Sequence, residues 1–248
     1  MKVRYSLEAF AFAFVMYTAG LETALIAGAV IVAGTLLGDT LAGMAGKAAG
    51  AVIGGAATAA ALVFGLGFAG LENGYVPAVW AGILVAKHVY DGVEEASTGE
   101  ILKQNYVALV MLAAAAVVRE FLGSGEVFGY EAGSFAVSSS AYLSNSFGLI
   151  FGGLGIAAAN TILKKEGAVD SLWVAIPVVA VAASASVSGN TIQMAAVTKS
   201  VCSALIAVVL LVSVRSKMIF STPGKHFAGL PVDMISLGFL TMMLSVIA

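Results

Sequence analysis

The chain has 248 residues, of which only 12 are Lys or Arg and 14 are Asp or Glu; at 10% charged it falls far below the roughly 25% of an ordinary soluble domain. Apolar residues make up 60%, mean hydropathy is +1.01, and the net charge is −2. These values exclude a soluble enzyme, a disordered chain and a nucleic-acid binder, and leave an all-α polytopic membrane protein whose first partner is the lipid bilayer.

In chain order, Met1-Lys2-Val3-Arg4 before an apolar run imitates a signal peptide. Glu8 interrupts the run and no cleavage site follows, so the start is expected to be a membrane segment with a basic flank. Leu7–Gly38 would make one helix of about 48 Å, too long for a hydrocarbon core of about 30 Å. Gly20 and Glu22 sit in its middle, where a charge costs about 3 kcal/mol or more. Two shorter helices, 7–19 and 22–38, meeting at Gly20 are therefore expected, as a re-entrant pair. The alternative is one long tilted helix with Glu22 paired inside the bundle.

Later spans are expected at about 50–70, 76–91, 104–121, 140–162, 171–189, 198–215 and 229–247, giving about eight transmembrane segments. They form a single domain over 1–248, with a broken-helix region 1–74 and repeat-like units 76–162 and 171–248. Returning the chain to its starting side after Gly38 places Lys47, Lys103, Lys164, Lys165, Arg215, Lys217 and Lys225 with Lys2 and Arg4 on one face. By the positive-inside rule that face is cytoplasmic, so the N-terminus lies in the cytoplasm and the C-terminus outside an inner (cytoplasmic) membrane. Asn105–Arg119 aligns with Val201–Arg215 at an offset of 96, pairing Ala108-Leu109 with Ala204-Leu205 and Arg119 with Arg215. Read as a repeat, the two lie in opposite orientations, as in many transporters; chance similarity of two Ala/Val/Leu helices is the alternative. Gly34/Gly38, Gly46/Gly50/Gly54 and Gly148/Gly152 have the spacing that lets helices approach closely.

Few side chains carry chemistry. Glu22, beside the expected break, is the candidate for Na⁺ or H⁺, against a plain role at a helix N-terminus. Lys87, His88 and Asp91, one turn apart, are either a proton relay or a boundary cluster. Arg119-Glu120 and Arg215 mark helix ends that contact partners or anchor at the interface. Asp233 and Glu8 read as helix-start charges. Asn145, Asn160, Asn190 and Gln193 are helix-to-helix hydrogen-bonders or ion ligands, and Cys202 is a packing residue. With one Cys and two His, no metal site and no cofactor is expected on this chain alone, and no catalytic residue is assigned.

Val118-Arg119-Glu120-Phe121-Leu122-Gly123-Ser124-Gly125-Glu126-Val127-Phe128-Gly129 resembles the "RExxGSGxxFG" segment of the integral-membrane subunits of Rnf- and Nqr-type electron-transport complexes. Leu21-Glu22-Thr23-Ala24 resembles their "LETA" run, and Val214 through Gly229 with the last helix resembles the ending of the sister subunit. The matches cover about a third of the chain. The resemblance implies an all-helical subunit with inverted repeats and half-helices, paired with a sister subunit. It also implies other membrane and redox partners that carry iron–sulfur or flavin cofactors and couple electron transfer to Na⁺ or H⁺ movement. Family members hold a two-iron cluster through cysteines on the half-helices; here no Cys lies within Phe12–Tyr17 or Val79–Val85, and Cys202 matches neither place. What the resemblance leaves is a scaffolding and ion-passage subunit without catalysis of its own. The competing function is a stand-alone secondary transporter of a cation or small solute.

Overall fold

Seven helices, four of them long and apolar enough to cross a membrane, account for nearly all of the described chain. The structure is a computed structural model that describes residues 11–12, 21–68, 75–91, 98–133, 139–165, 187–188, 191–192, 194–215 and 222–247. The helices are α1 (Leu21–Ala45), α2 (Lys47–Ala60), α3 (Tyr75–Asp91), α4 (Thr98–Ser124), α5 (Asn145–Leu163), α6 (Met194–Arg215) and α7 (Leu230–Ile247). The helix α2 continues through a π-helical turn, Ala61–Gly65, to Leu66–Phe68. The described residues also form two short antiparallel hairpins, Glu126–Val127 with Tyr130–Glu131 and Val187–Ser188 with Thr191–Ile192.

The N-terminal bundle is held by backbone-to-backbone contact. Gly46, at φ 92°, makes the single-residue corner between α1 and α2, a conformation only glycine adopts without strain. The returning helix then lays Gly50 and Gly54 on Gly34 and Gly38. A Cβ at Gly54 would stand 2.8 Å from the Gly38 Cα and 2.9 Å from the Gly34 carbonyl oxygen. The adjacent stripe of α2 faces α3, where Gly55 and Gly82 each hold the other's carbonyl 2.6 Å from the place of a Cβ. Two neighbouring small-residue faces thus make α2 the middle helix. Of the expected glycine series, Gly34/Gly38 and Gly50/Gly54 pack together as the spacing requires, whereas Gly46 turns the chain.

The second bundle is built on α5. Gly155 rests on Leu112 of α4, and Gly153 rests on the Pro231 carbonyl and Ile235 of α7. Gly238 of α7 meets the Ser146 carbonyl, and Thr241 donates to Ser146 Oγ at 3.0 Å. These pairs run in opposite directions, so α5 and α7 are antiparallel. On its other side α7 packs on α6. Buried Ile31, Leu62, Leu84 and Leu112, with Ile156, Met234 and Leu237, form the continuous apolar core. The bundles meet where α1 touches α4.

Most expected spans fall on helices, with longer ends than the charge-free windows. The expected 171–189 span needs correction at its end, because Val187–Ser188 is a strand paired with Thr191–Ile192. Gly189-Asn190 between them is a two-residue hairpin signal that outweighs the apolar run before it. The rest of that span, residues 171–186, lies outside the described residues, as do Glu8, Gly20, Asn190 and Gln193. The side chain of Phe12 covers Gly28, so closely that a Cβ there would overlap its ring. On one straight helix their separation of 16 positions would span about 24 Å. The two residues therefore do not belong to a single straight helix.

Candidate functional site

The motif segment at the end of α4 is a folded unit with a central guanidinium. Gly125, at φ 78°, ends the helix; its N–H returns to the Phe121 carbonyl at 2.9 Å. Glu126–Val127 and Tyr130–Glu131 then pair across Phe128 and Gly129, both at positive φ (53° and 75°), the geometry of a two-residue primed turn. Beyond the hairpin, a 3₁₀ turn, Ser140–Leu143, leads into α5, whose first turn is capped by Ser144. Arg119 is 92% buried beneath this corner, being 8% exposed. Its Nε donates to the Tyr142 carbonyl (3.0 Å), and one terminal nitrogen donates to the carbonyls of Leu143 (2.5 Å) and Ser144 (3.2 Å). A planar five-donor group suits three converging carbonyls, of which that of Ser144 also accepts from the Gly148 N–H (2.9 Å). Arg119 stands near the end of α4, and its guanidinium bonds to carbonyls of its own chain. Glu120, beside it, is half-buried, with Oε2 shielded from solvent.

Lys87, His88 and Asp91 do not form one cluster. Lys87 and Asp91 pair along α3. His88, turned about 100° from Lys87 around the helix, is only 2% exposed and points into the bundle. Gly38 lies against Val89, which brings Asp39 of α1 to the same level as His88. Asp39 was not singled out in the sequence; its signal is a carboxylate late in a helix whose other charged residue, Glu22, stands in the first turn.

Glu22 occupies the first turn of α1 and is exposed, not paired inside the bundle. The helix dipole favours a carboxylate there. Arg215 ends α6, and its side chain lies outside the described residues. Cys202, expected as a packing residue, is instead exposed on α6. Asn145 is also exposed, at the start of α5.

A polar seam closes the opposite end of the second bundle. Gln104 donates to Glu100 at 2.9 Å, and Lys165 lies 3.6 Å from the same carboxylate. His226 donates from Nδ1 to the Lys165 carbonyl (2.8 Å), which leaves Nε2 as the free position of the ring. Asn160, fully buried, donates to the His226 carbonyl at 3.0 Å. It is thus a hydrogen-bonder between elements, the commoner of its two expected roles. Asp233, in the first turn of α7, is also fully buried. The Glu100 carboxyl is held below the ordinary carboxylate range, first by the Gln104 hydrogen bond and then by the Lys165 and Lys103 charges. The seam joins the start of α4 to the end of α5 and the 3₁₀ turn Thr222–Phe227.

Between the bundles, α1 and α4 line a cavity of about 360 Å³ with Phe12 at one wall. Its surface is apolar except for Asn105 and Tyr106. Among the described residues no group of three or more His, Cys, Asp or Glu could hold a metal ion.

Comparison of the chain with family models, curated proteins and solved structures gives no match.

Proposed function

We propose that this chain is an integral-membrane subunit of an ion-translocating redox assembly of the Rnf/Nqr type, serving as scaffold and ion passage for Na⁺ or H⁺. The observation that carries the reading is the N-terminal geometry. Phe12 packs back on Gly28, and Glu22 is presented outward at the start of α1. An exposed carboxylate on a membrane helix is costly against lipid, but suits an interface with a second subunit or an ion. The contact of Phe12 with Gly28 supports the expected re-entrant half-helix, whose free end would face the path. In this reading about eight segments cross an inner membrane with the N-terminus cytoplasmic. The two helix–3₁₀–helix units, α4–α5 and α6–α7, are the inverted repeats. Iron–sulfur or flavin groups sit in partner subunits.

The rival, a stand-alone secondary transporter, needs a polar site where the bundles meet. The cavity there is almost wholly apolar, which disfavours a cation. The test is transport in inverted membrane vesicles energised with NADH or reduced ferredoxin. Glu22→Gln is expected to lower Na⁺ or H⁺ uptake severalfold while the assembly remains intact. Full uptake by that variant removes Glu22 from the path, and solute-dependent stabilisation of the isolated wild-type chain moves the transporter to the front.

A further inference from the structure

The hairpin that follows α4 has two unlike faces. Its register sets Val127 directly opposite Tyr130, and Glu126 directly opposite Glu131. Successive strand residues point to opposite sides, so the first pair makes an apolar face and the second an acidic one. Both glutamates are exposed. Tyr130 is 79% exposed, and Phe128 in the turn is 50% exposed. The two rings are thus presented outward and not packed on the bundle.

The place of the hairpin along the bundle selects what covers that face. Leu102–Ser124 of α4 is an apolar stretch long enough to cross a membrane, and the first strand starts two residues beyond it. The chain then turns back. The Phe128 backbone N–H donates to the Glu120 carboxylate, and the Ala132 N–H closes on the Gly125 carbonyl at 3.0 Å. Glu120 precedes Ser124 by about 6 Å along the helix axis. The tip therefore stands level with the last turn of the span and does not project beyond it. Its depth is bounded on the other side as well. A two-stranded ribbon has unpaired N–H and C=O groups along its edges, and hydrocarbon cannot satisfy them. Two carboxylates on one face are equally unsuited to hydrocarbon. The headgroup zone of the bilayer meets both limits, and amphipathic aromatic rings are favoured there.

We propose that the Glu126–Glu131 hairpin is a lipid-interface anchor. Val127, Phe128 and Tyr130 rest among the headgroups, and the Glu126/Glu131 face is turned to water. The anchor fixes the depth of α4 and of the Arg119 corner. This rests on the membrane character of the chain and not on the redox reading, so either can fail alone.

The test is fluorescence quenching of the full-length protein in phosphatidylcholine vesicles. Trp80→Phe and Trp173→Phe first remove the native indoles, and Tyr130→Trp or Glu131→Trp then adds one on either face. The Tyr130→Trp emission is expected to be quenched severalfold more by a lipid spin label near the headgroup than by one near the chain end. The Glu131→Trp emission is expected to be quenched severalfold more by aqueous acrylamide than that of Tyr130→Trp. Phe128→Trp is an independent probe and should report the same depth as Tyr130→Trp. The proposal is overturned if Tyr130→Trp is as open to acrylamide as Glu131→Trp, which places the hairpin in water. It is equally overturned if the chain-end label quenches most, or if Tyr130→Trp is shielded from both lipid labels and acrylamide, as a protein partner would leave it. Unchanged thermal unfolding in detergent shows that each variant keeps the fold.

Discussion

Arg119 shows how a single side chain converts a boundary into a structure. Its donors hold three carbonyls at the corner between α4 and α5, away from solvent. Truncation to Ala should destabilise the protein by about 2–3 kcal/mol, because the charged hydrogen bonds of a buried guanidinium to three carbonyls are lost. Arg119→Lys should recover only part, since one ammonium cannot span three acceptors in the geometry of a guanidinium. Thermal unfolding in detergent reads both, and an Ala variant as stable as wild type would show the clamp to be idle. Glu100 gives a pH-dependent counterpart. Its carboxyl titrates below the usual range, so its contribution is present above about pH 4.3 and fades as pH falls through the lowered folded value. The stability gap between wild type and Glu100→Gln should therefore close toward pH 3, and a gap unchanged at that pH would contradict the seam. The sequence marked Arg119 as special through its place beside Gly-Ser-Gly, but the three carbonyls it holds come from residues more than twenty positions on. For the same reason the sequence grouped His88 with Lys87 and Asp91. Their spacing is visible in one dimension, whereas the direction each side chain takes depends on what packs beside α3.

Helix packing belongs to the element scale, and here glycine spacing was the readable signal. Gly34, Gly38, Gly50 and Gly54 could be picked out by their four-residue interval, and they do form the α1–α2 contact. Gly55 and Gly82 could not, because Gly55 falls outside the four-residue series and Gly82 has no glycine beside it in α3, so each has meaning only against the other. Gly54→Val should force α1 and α2 apart and cost about 1–3 kcal/mol. Gly43, in α1 with nothing near its Cβ position, is the control. There Ala should leave stability unchanged or raise it by up to about 1 kcal/mol through helix propensity. Equal losses at both positions would mean that close approach is not what the glycines provide. The Val187–Ile192 hairpin was missed because apolar composition was given more weight than the Gly-Asn pair within it. The Glu126–Glu131 hairpin was missed because its strands are only two residues long.

At the scale of the whole molecule, composition alone was enough for the all-helical architecture and for helices able to cross a membrane. The contact of Phe12 with Gly28 joins positions on either side of the break expected at Gly20, which itself lies outside the described residues. Length and a charge can say that a long apolar run must bend, but not which residues then meet. A Phe12→Cys/Gly28→Cys pair should cross-link under mild oxidation, while Phe12→Cys with Gly43→Cys should not. Failure of the Phe12/Gly28 pair to cross-link would return Leu7–Gly38 to a straight helix. What the bundle does in its membrane depends on its partners, and the most direct measurement is a mild-detergent purification of the tagged protein from its native membrane. Its products would be read by mass spectrometry and by visible absorbance. Co-purification of flavin- or iron–sulfur-bearing subunits is the result expected of an ion-translocating redox subunit. A colourless preparation containing only copies of this chain would contradict it.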